Sequence, residues 1–260
     1  MRALAVAVGL LGSTVAVAQA ARQADPLATR SGLEVGAQVA RYIYDEPGIA
    51  KLSGNRLGFV GTATLAGESG LFGKIDFRES YGRLKYEGSG TMTGVPDLIF
   101  EVRALGGFDW VGAGISLSPY LGLGYRYLYN DLTGYSSTGA GGYRRYSNYL
   151  YAPVGLTVRI ALGEHWVLAP TGEVDVFILG KQKSMLSDAD ISLSDVTNTQ
   201  KHGSGYRAYL MLENGNLAFG PWMHYWHIQD SDLQPIGAGR RGMEPENTTR
   251  EYGLEVRYRF

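Results

Sequence analysis

The stretch "EYGLEVRYRF", residues 251–260, alternates without a break. Tyr252, Leu254, Val256, Tyr258 and Phe260 are apolar or aromatic, and Glu251, Gly253, Glu255, Arg257 and Arg259 stand between them. Successive side chains of a β-strand point to opposite faces, so the segment reads as a strand with one greasy and one charged face. In a soluble sheet the greasy face is buried and the charged face is wet. In a closed sheet that spans a bilayer the greasy face meets lipid and the charged face lines a lumen. The rest of the chain decides between the two.

The same period recurs along the sequence. Residues 33–43 set Leu33, Val35, Ala37, Val39 and Ile43 against Glu34, Gln38 and Tyr42. Residues 57–65 set Leu57, Phe59, Ala63 and Leu65 against Thr62 and Thr64, and residues 71–81 set Leu71, Ile75, Phe77 and Tyr81 against Lys74, Asp76, Arg78 and Ser80. Leu98, Phe100, Val102 and Ala104 oppose Glu101 and Arg103. Similar segments follow near 119–130, 147–162, 166–179, 206–213 and 217–228, and with the last strand they make about ten. Most have roughly the 9–11 residues that cross a bilayer when tilted. Eight strands result if 57–65 or 98–105 is wrongly divided, and twelve if 182–204 holds a hairpin.

The connections alternate as well. "AGESG", "DWVGAG", "LGEH" and "NGN" are tight, and Asn214-Gly215 is a strong hairpin signal, because a type I′ turn needs positive φ at both central residues. Residues 44–55, 86–97, 131–147, 182–204 and 229–248 read as long polar loops. Short turns at one end and long loops at the other are the plan of a transmembrane barrel. An even strand number brings both termini to the short-turn side.

Composition fits an exported chain. Met1-Arg2 precedes "ALAVAVGLLGSTVAVAQA", a basic n-region and an apolar run that closes on the small-x-small triplet Ala18-Gln19-Ala20, so residues 1–20 read as a signal peptide. Residues 21–30 read as a short periplasmic leader and 31–260 as the barrel. With no cysteine, disulfides, thiolate metal sites and cysteine nucleophiles are excluded, and a net charge of −1 gives no footprint for a nucleic-acid partner. Trp110 and Trp166 by the short turns, and Tyr42, Tyr44, Tyr127, Tyr129, Tyr149 and Tyr151 toward the other end, suit interfacial aromatic girdles.

The face opposite the apolar stripe carries Glu34, Lys74, Asp76, Arg78, Glu101, Arg103, Arg126, Arg159, Glu173, Asp175, Arg207, Glu255, Arg257 and Arg259. At the bilayer midplane an Arg or Lys facing lipid would cost about 2–4 kcal/mol, so these charges are expected in the lumen, where opposite signs pair. A barrel of this size has an interior little wider than its side chains, and the glycines near 122–124 are expected to make room. A network that plugs the barrel is the expected reading; a narrow pore for small polar solutes is the competing one. Mixed signs do not make the one-sign ring of an ion-selective filter.

Candidates for chemistry are few. On "PWMHYWHI" Trp222, His224 and Trp226 are expected to point inward, and a lumen His224 is a weak candidate general base with no Ser or Asp at motif spacing. Asp188, Asp190 and Asp195 offer oxygen ligands but lack the glycine and terminal glutamate of an EF-hand loop. No metal and no cofactor are expected. Asn247-Thr248-Thr249 matches a glycosylation sequon.

The signal peptide, the alternating strands and the terminal Tyr258-Arg259-Phe260 resemble bacterial outer-membrane β-barrel proteins of the small, OmpA/porin-like single-domain kind. The resemblance implies an all-β, antiparallel up-and-down barrel in a Gram-negative outer membrane, in contact with lipid and lipopolysaccharide. It also implies that Tyr258 and Phe260 serve as a signal read by the barrel-assembly machinery. Omptin proteases share the strand count alone, so no catalytic residue is carried over from them. The function expected is structural, surface-exposed or narrowly porous. The alternatives are a lipid- or peptide-cleaving barrel hydrolase and a loop-mediated adhesin or receptor, for which the sequence names no ligand.

Overall fold

The computed structural model describes residues 25–237 and 239–260; the expected signal peptide, residues 1–20, lies outside them. The chain forms β1 (Gly32–Glu46), β2 (Ala50–Ala66), β3 (Leu71–Gly88), β4 (Gly90–Phe108), β5 (Trp110–Val111), β6 (Ile115–Tyr135) and β7 (Gly141–Leu162). There follow β8 (Trp166–Ser184), β9 (Val196–Gln200), β10 (Gly203–Asn214), β11 (Leu217–Ile228), β12 (Gln234–Gly237), β13 (Arg240–Gly242) and β14 (Asn247–Arg259). Ten of these are the staves of a closed antiparallel barrel. The ring closes where β8 pairs with β10 and where β14 lies between β11 and β1, with Leu254 opposite Val39 on one side and Pro221 on the other. Closure leaves no free edge among the staves. β5 extends the wall beside β6, β9 pairs with the end of β8, and β12 and β13 form a separate hairpin.

The barrel is inside out relative to a soluble protein. Leu57, Leu65, Leu71, Leu121, Val154, Leu254 and Phe260 are exposed on the outer face, while Arg56, Arg126, Glu101, Asp175 and Glu251 are buried in the lumen. Trp110 and Trp166 are exposed at the short-turn end. Tyr42, Tyr44, Tyr149 and Tyr151 depart from the girdle expectation: all four are buried in the lumen, because they have the parity of its charged residues. With Leu84, Ile99, Trp226 and Ile228 they form an apolar plug in the half of the barrel away from the short turns.

The expected long connections are also corrected. Residues 44–55, 86–97 and 131–147 are mostly strand, and their turns shrink to 47–49, Ser89 and 136–140. The apolar alternation fades there because the outward positions change to Lys51, Asn55, Arg83, Lys85 and Glu87, all exposed, while the hydrogen-bonded pairing continues. A stave that leaves lipid for water keeps its ladder and loses its greasy face. Two long connections remain, 185–202 and 229–246. The last hairpin is also shifted. Leu212 pairs with Phe219 and Asn214 with Leu217, so the turn is Gly215-Asn216, with Gly215 at φ 56°. The two-residue shift keeps every side chain on its expected face.

Residues 25–31 form a strap over the short-turn mouth. Leu27, Ala28, Thr29 and Ser31 are buried. Ser116 Oγ donates to the Leu27 carbonyl at 2.7 Å, Thr29 N–H donates to Asp109 Oδ2 at 2.6 Å, and Ala66 N–H donates to Ser31 Oγ at 2.8 Å. The part of the leader that is described is therefore packed against the barrel.

Candidate functional site

The middle of the lumen is filled by arginine–carboxylate pairs contributed by facing strands. Arg78 of β3 reaches Glu251 of β14 at 2.5 Å, and Arg126 of β6 reaches the same carboxylate at 3.2 Å. Arg207 of β10 donates from Nε to Asp175 at 2.6 Å, from Nη1 to Glu101 at 3.0 Å and from Nη2 to the Tyr151 hydroxyl at 2.9 Å. Tyr151 in turn donates to Glu101. Arg103 bridges Asp76 and Glu173, each at 2.7 Å, and Tyr120 donates to Glu173 at 2.7 Å. Arg56 pairs with Asp97 and stacks 4.0 Å from the Tyr42 ring. The guanidinium of Arg126 lies 5.2 Å from the Trp226 ring, and that of Arg78 lies 4.9 Å from Trp222. Such pairing is what permits so many charges to be buried at all.

Glycine supplies the space. A Cβ on Gly124 would come within 2.2 Å of the Tyr151 ring, and one on Gly155 within 2.4 Å of Tyr120. Both tyrosines hold network carboxylates, so these positions require the absence of a side chain.

Of the sequence-named lumen residues, Glu34, Arg257, Arg259 and Glu255 gather at the short-turn end. Arg259 Nε donates to Glu34 at 2.7 Å, and Arg257 pairs with Glu255. Arg159 donates to Ser118 Oγ at 3.3 Å and lies 3.8 Å from Glu213. Lys74 Nζ sits 5.1 Å from the Phe72 ring. Arg56, Asp97, Arg145, Glu213 and Glu251 join the lumen network beyond the residues expected from the sequence. Glu251 and Arg56 share the parity of residues that were named, so alternation alone could have found them. Asp97 and Arg145 fell in segments read as loops.

His224 points inward between Trp222 and Trp226 and is buried. Its Nε2 is 2.6 Å from the Tyr209 hydroxyl, and its ring centroid is 4.6 Å from that of Trp222. It is walled in at mid-lumen, an arrangement suited to packing. At the outer end His227 Nε2 lies 3.0 Å from Glu246 Oε1, on the exposed rim. The acidic loop closes on itself. Asp190 accepts from Ser192 and Asp195 from Ser187, while three hydrogen bonds from Arg144, two from its guanidinium and one from its backbone N–H, hold the Asp188 carboxyl below the usual carboxylate range. Among the described residues no group of three or more such side chains could hold a metal ion.

The loop 229–246 returns to the outer mouth through Glu244. This carboxylate is buried with Glu46 against a single guanidinium: Arg145 pairs with Glu244 and contacts Glu46 at 2.5 Å, and the Tyr44 hydroxyl donates to Glu46 at 2.7 Å. Burial, together with the Glu46 carboxylate, pushes Glu244 up to about 7, against the pull of Arg145 and Tyr44. Tyr143 adds its aromatic body nearby. A carboxyl whose pKa is raised on docking takes up a proton as the loop docks. Docking is therefore tightest in acid and weakens as pH rises through about 7. With the intrinsic base-catalysed rate divided out, the protection of amides in residues 229–246 is expected to fall between about pH 5 and about pH 8.5, and Glu244→Gln to flatten that fall. Protection that stays constant with pH in the unaltered protein would contradict proton-linked docking of Glu244.

The sequence matches no protein-family model and no curated protein sequence. Among solved structures the fold is similar to the outer-membrane protease OmpT from Escherichia coli, with a TM-score of 0.58 at 9% identity over 92% of this chain and 100% of that one. Weaker similarity extends to Neisserial surface protein A, with a TM-score of 0.36 at 12% identity over 88% of this chain and 98% of that one. It extends also to the translocator domain of the autotransporter NalP from Neisseria meningitidis, with a TM-score of 0.40 at 13% identity over 100% of this chain and 98% of that one. At such identities the likeness concerns fold alone. With its apolar outer face, polar lumen and ten closed staves, the chain has the fold of a bacterial outer-membrane β-barrel.

Proposed function

We propose that the protein is an integral outer-membrane barrel with a sealed lumen, a structural and surface-presenting element rather than a conduit. The observation that carries this reading is the mid-lumen layer in which Arg78, Arg126 and Arg207 are buried against Glu251, Glu101 and Asp175 with Trp222 and Trp226 packed beside them. A solute path would have to break several buried ion pairs at once. Glu244 at the outer mouth supports the same reading, and the strap of residues 25–31 narrows the other mouth. Export by the signal peptide, contact with lipid and lipopolysaccharide, and assembly through Tyr258 and Phe260 belong to this proposal. The rim left outside the bilayer, formed by strand extensions and the two long loops, is the surface available to an extracellular ligand.

In planar bilayers the purified protein is expected to give no steady single-channel conductance. Regular current steps from the unaltered protein would replace the sealed reading with the pore. Fractionation with the outer membrane and heat-modifiable gel mobility are the companion expectations. A mature chain that stays soluble without detergent would overturn the membrane assignment.

A further inference from the structure

The lumen is not uniformly neutralised. A cavity of about 120 Å³ opens at the short-turn end, behind the strap. Six cationic side chains line it: Arg30, Lys74, Arg103, Arg159, Arg257 and Arg259. Three of them are accounted for by short contacts, Arg103 with Asp76 and Glu173, Arg257 with Glu255, and Arg259 with Glu34. The other three are not. Lys74 Nζ sits 5.1 Å from the Phe72 ring and has no carboxylate within ion-pair distance among the described residues, with Asp76 and Glu34 acting on it from farther off. Arg159, 6% exposed, has a hydroxyl at 3.3 Å and Glu213 no nearer than 3.8 Å. Arg30 donates to the Gly215 carbonyl at 2.8 Å. Among the described residues that line the cavity, Glu213 is the carboxylate not already held by a short ion pair; Arg159 and Arg30 share it, and Lys74 lies nearer Asp76 and Glu34, which Arg103 and Arg259 already hold.

We propose that this cavity is a binding site for a phosphate-class oxyanion entering from the short-turn mouth. Sequestered cations without short counter-charges are costly, and an anion among them recovers that cost. A lysine point charge from β3 and an arginine fork from β7 suit a tetrahedral oxyanion, and the space holds one with several waters. Leu105, Ala169 and Met211 supply an apolar wall that strengthens the field inside. The staves separate the cavity from lipid, so a free anion fits this site and a headgroup anchored in the bilayer does not.

The test is calorimetric titration of the full mature chain with inorganic phosphate in a neutral sugar detergent, repeated with acetate at equal ionic strength and with dispersed phosphatidic acid. Saturable phosphate binding is expected, with acetate and phosphatidic acid much weaker. Lys74→Gln is expected to weaken phosphate binding about tenfold or more, and Lys74→Arg to retain most of it. Heat-modifiable mobility checks that each variant is folded. No saturable phosphate binding, or a folded Lys74→Gln variant that binds as the unaltered protein does, would overturn the proposal. Preference for phosphatidic acid would overturn the assignment to a free anion. Because binding is read in detergent without any bilayer, its failure is distinguishable from failure of the sealed-barrel reading.

Discussion

Glu251→Ala is expected to destabilise the barrel by about 3–5 kcal/mol, because it removes one member of a buried ionic cluster and leaves the others unpaired. Glu251 is 1% exposed and holds both Arg78 and Arg126. Arg78 would keep Glu101 at 3.8 Å, while Arg126 would keep the Trp226 ring and no carboxylate at ion-pair distance among the described residues. Glu251→Gln, which retains an acceptor, should lose less. Combining Glu251→Ala with Arg78→Met and Arg126→Met should recover part of the loss, since an apolar replacement of a whole cluster removes the desolvation cost along with the attraction. Urea-driven unfolding from lipid vesicles measures all of these variants. A loss below about 1 kcal/mol for Glu251→Ala would mean that the lumen hydrates readily, and the sealed reading would fall with it.

Leu254→Arg probes the other face. Leu254 is exposed at 61%, midway along the outward stripe of β14 between Val39 and Pro221. On a soluble protein an exposed leucine is replaced by arginine within about 0.5 kcal/mol. On a lipid-facing midplane the same change costs about 2–4 kcal/mol and falls to about 0–1 near the interfaces. The control is Asn55→Arg, at an outward position of β2 beyond the apolar band. Near-neutrality at Asn55 with a large loss at Leu254 locates the bilayer; equal, small losses at both would contradict a membrane-spanning barrel. Refolding yield into vesicles gives a second readout.

The two faces were legible for a common reason. Parity is local: within a strand, once one residue is known to face lipid, every second residue follows, whatever the partner strand does. That is why placing the turn at Gly215-Asn216 rather than Asn214-Gly215, which moves the β10–β11 pairing by two, leaves Trp222, His224 and Trp226 on their expected face. For the four lumen tyrosines parity outweighs residue type: they share the face of the charged residues and lie inside. Over 86–97 the apolar outer face ends before the strand does, because the ladder continues into water.

From the sequence by itself come the strand period, the tight turns near 67–70, 109–114, 163–165 and 215–216, and the sorting of charges away from lipid. Tertiary structure alone decides which cation meets which anion. Arg78 and Glu251 are 173 residues apart, and Arg207 and Glu101 are 106 apart; they meet because the closed sheet brings non-adjacent staves face to face across the lumen. No local pattern encodes that distance, since it depends on how all ten staves tilt and stagger together. The same closure leaves Lys74 with no carboxylate at ion-pair distance among the described residues, and it turns "EYGLEVRYRF" from an amphipathic tail into the stave that joins β11 to β1.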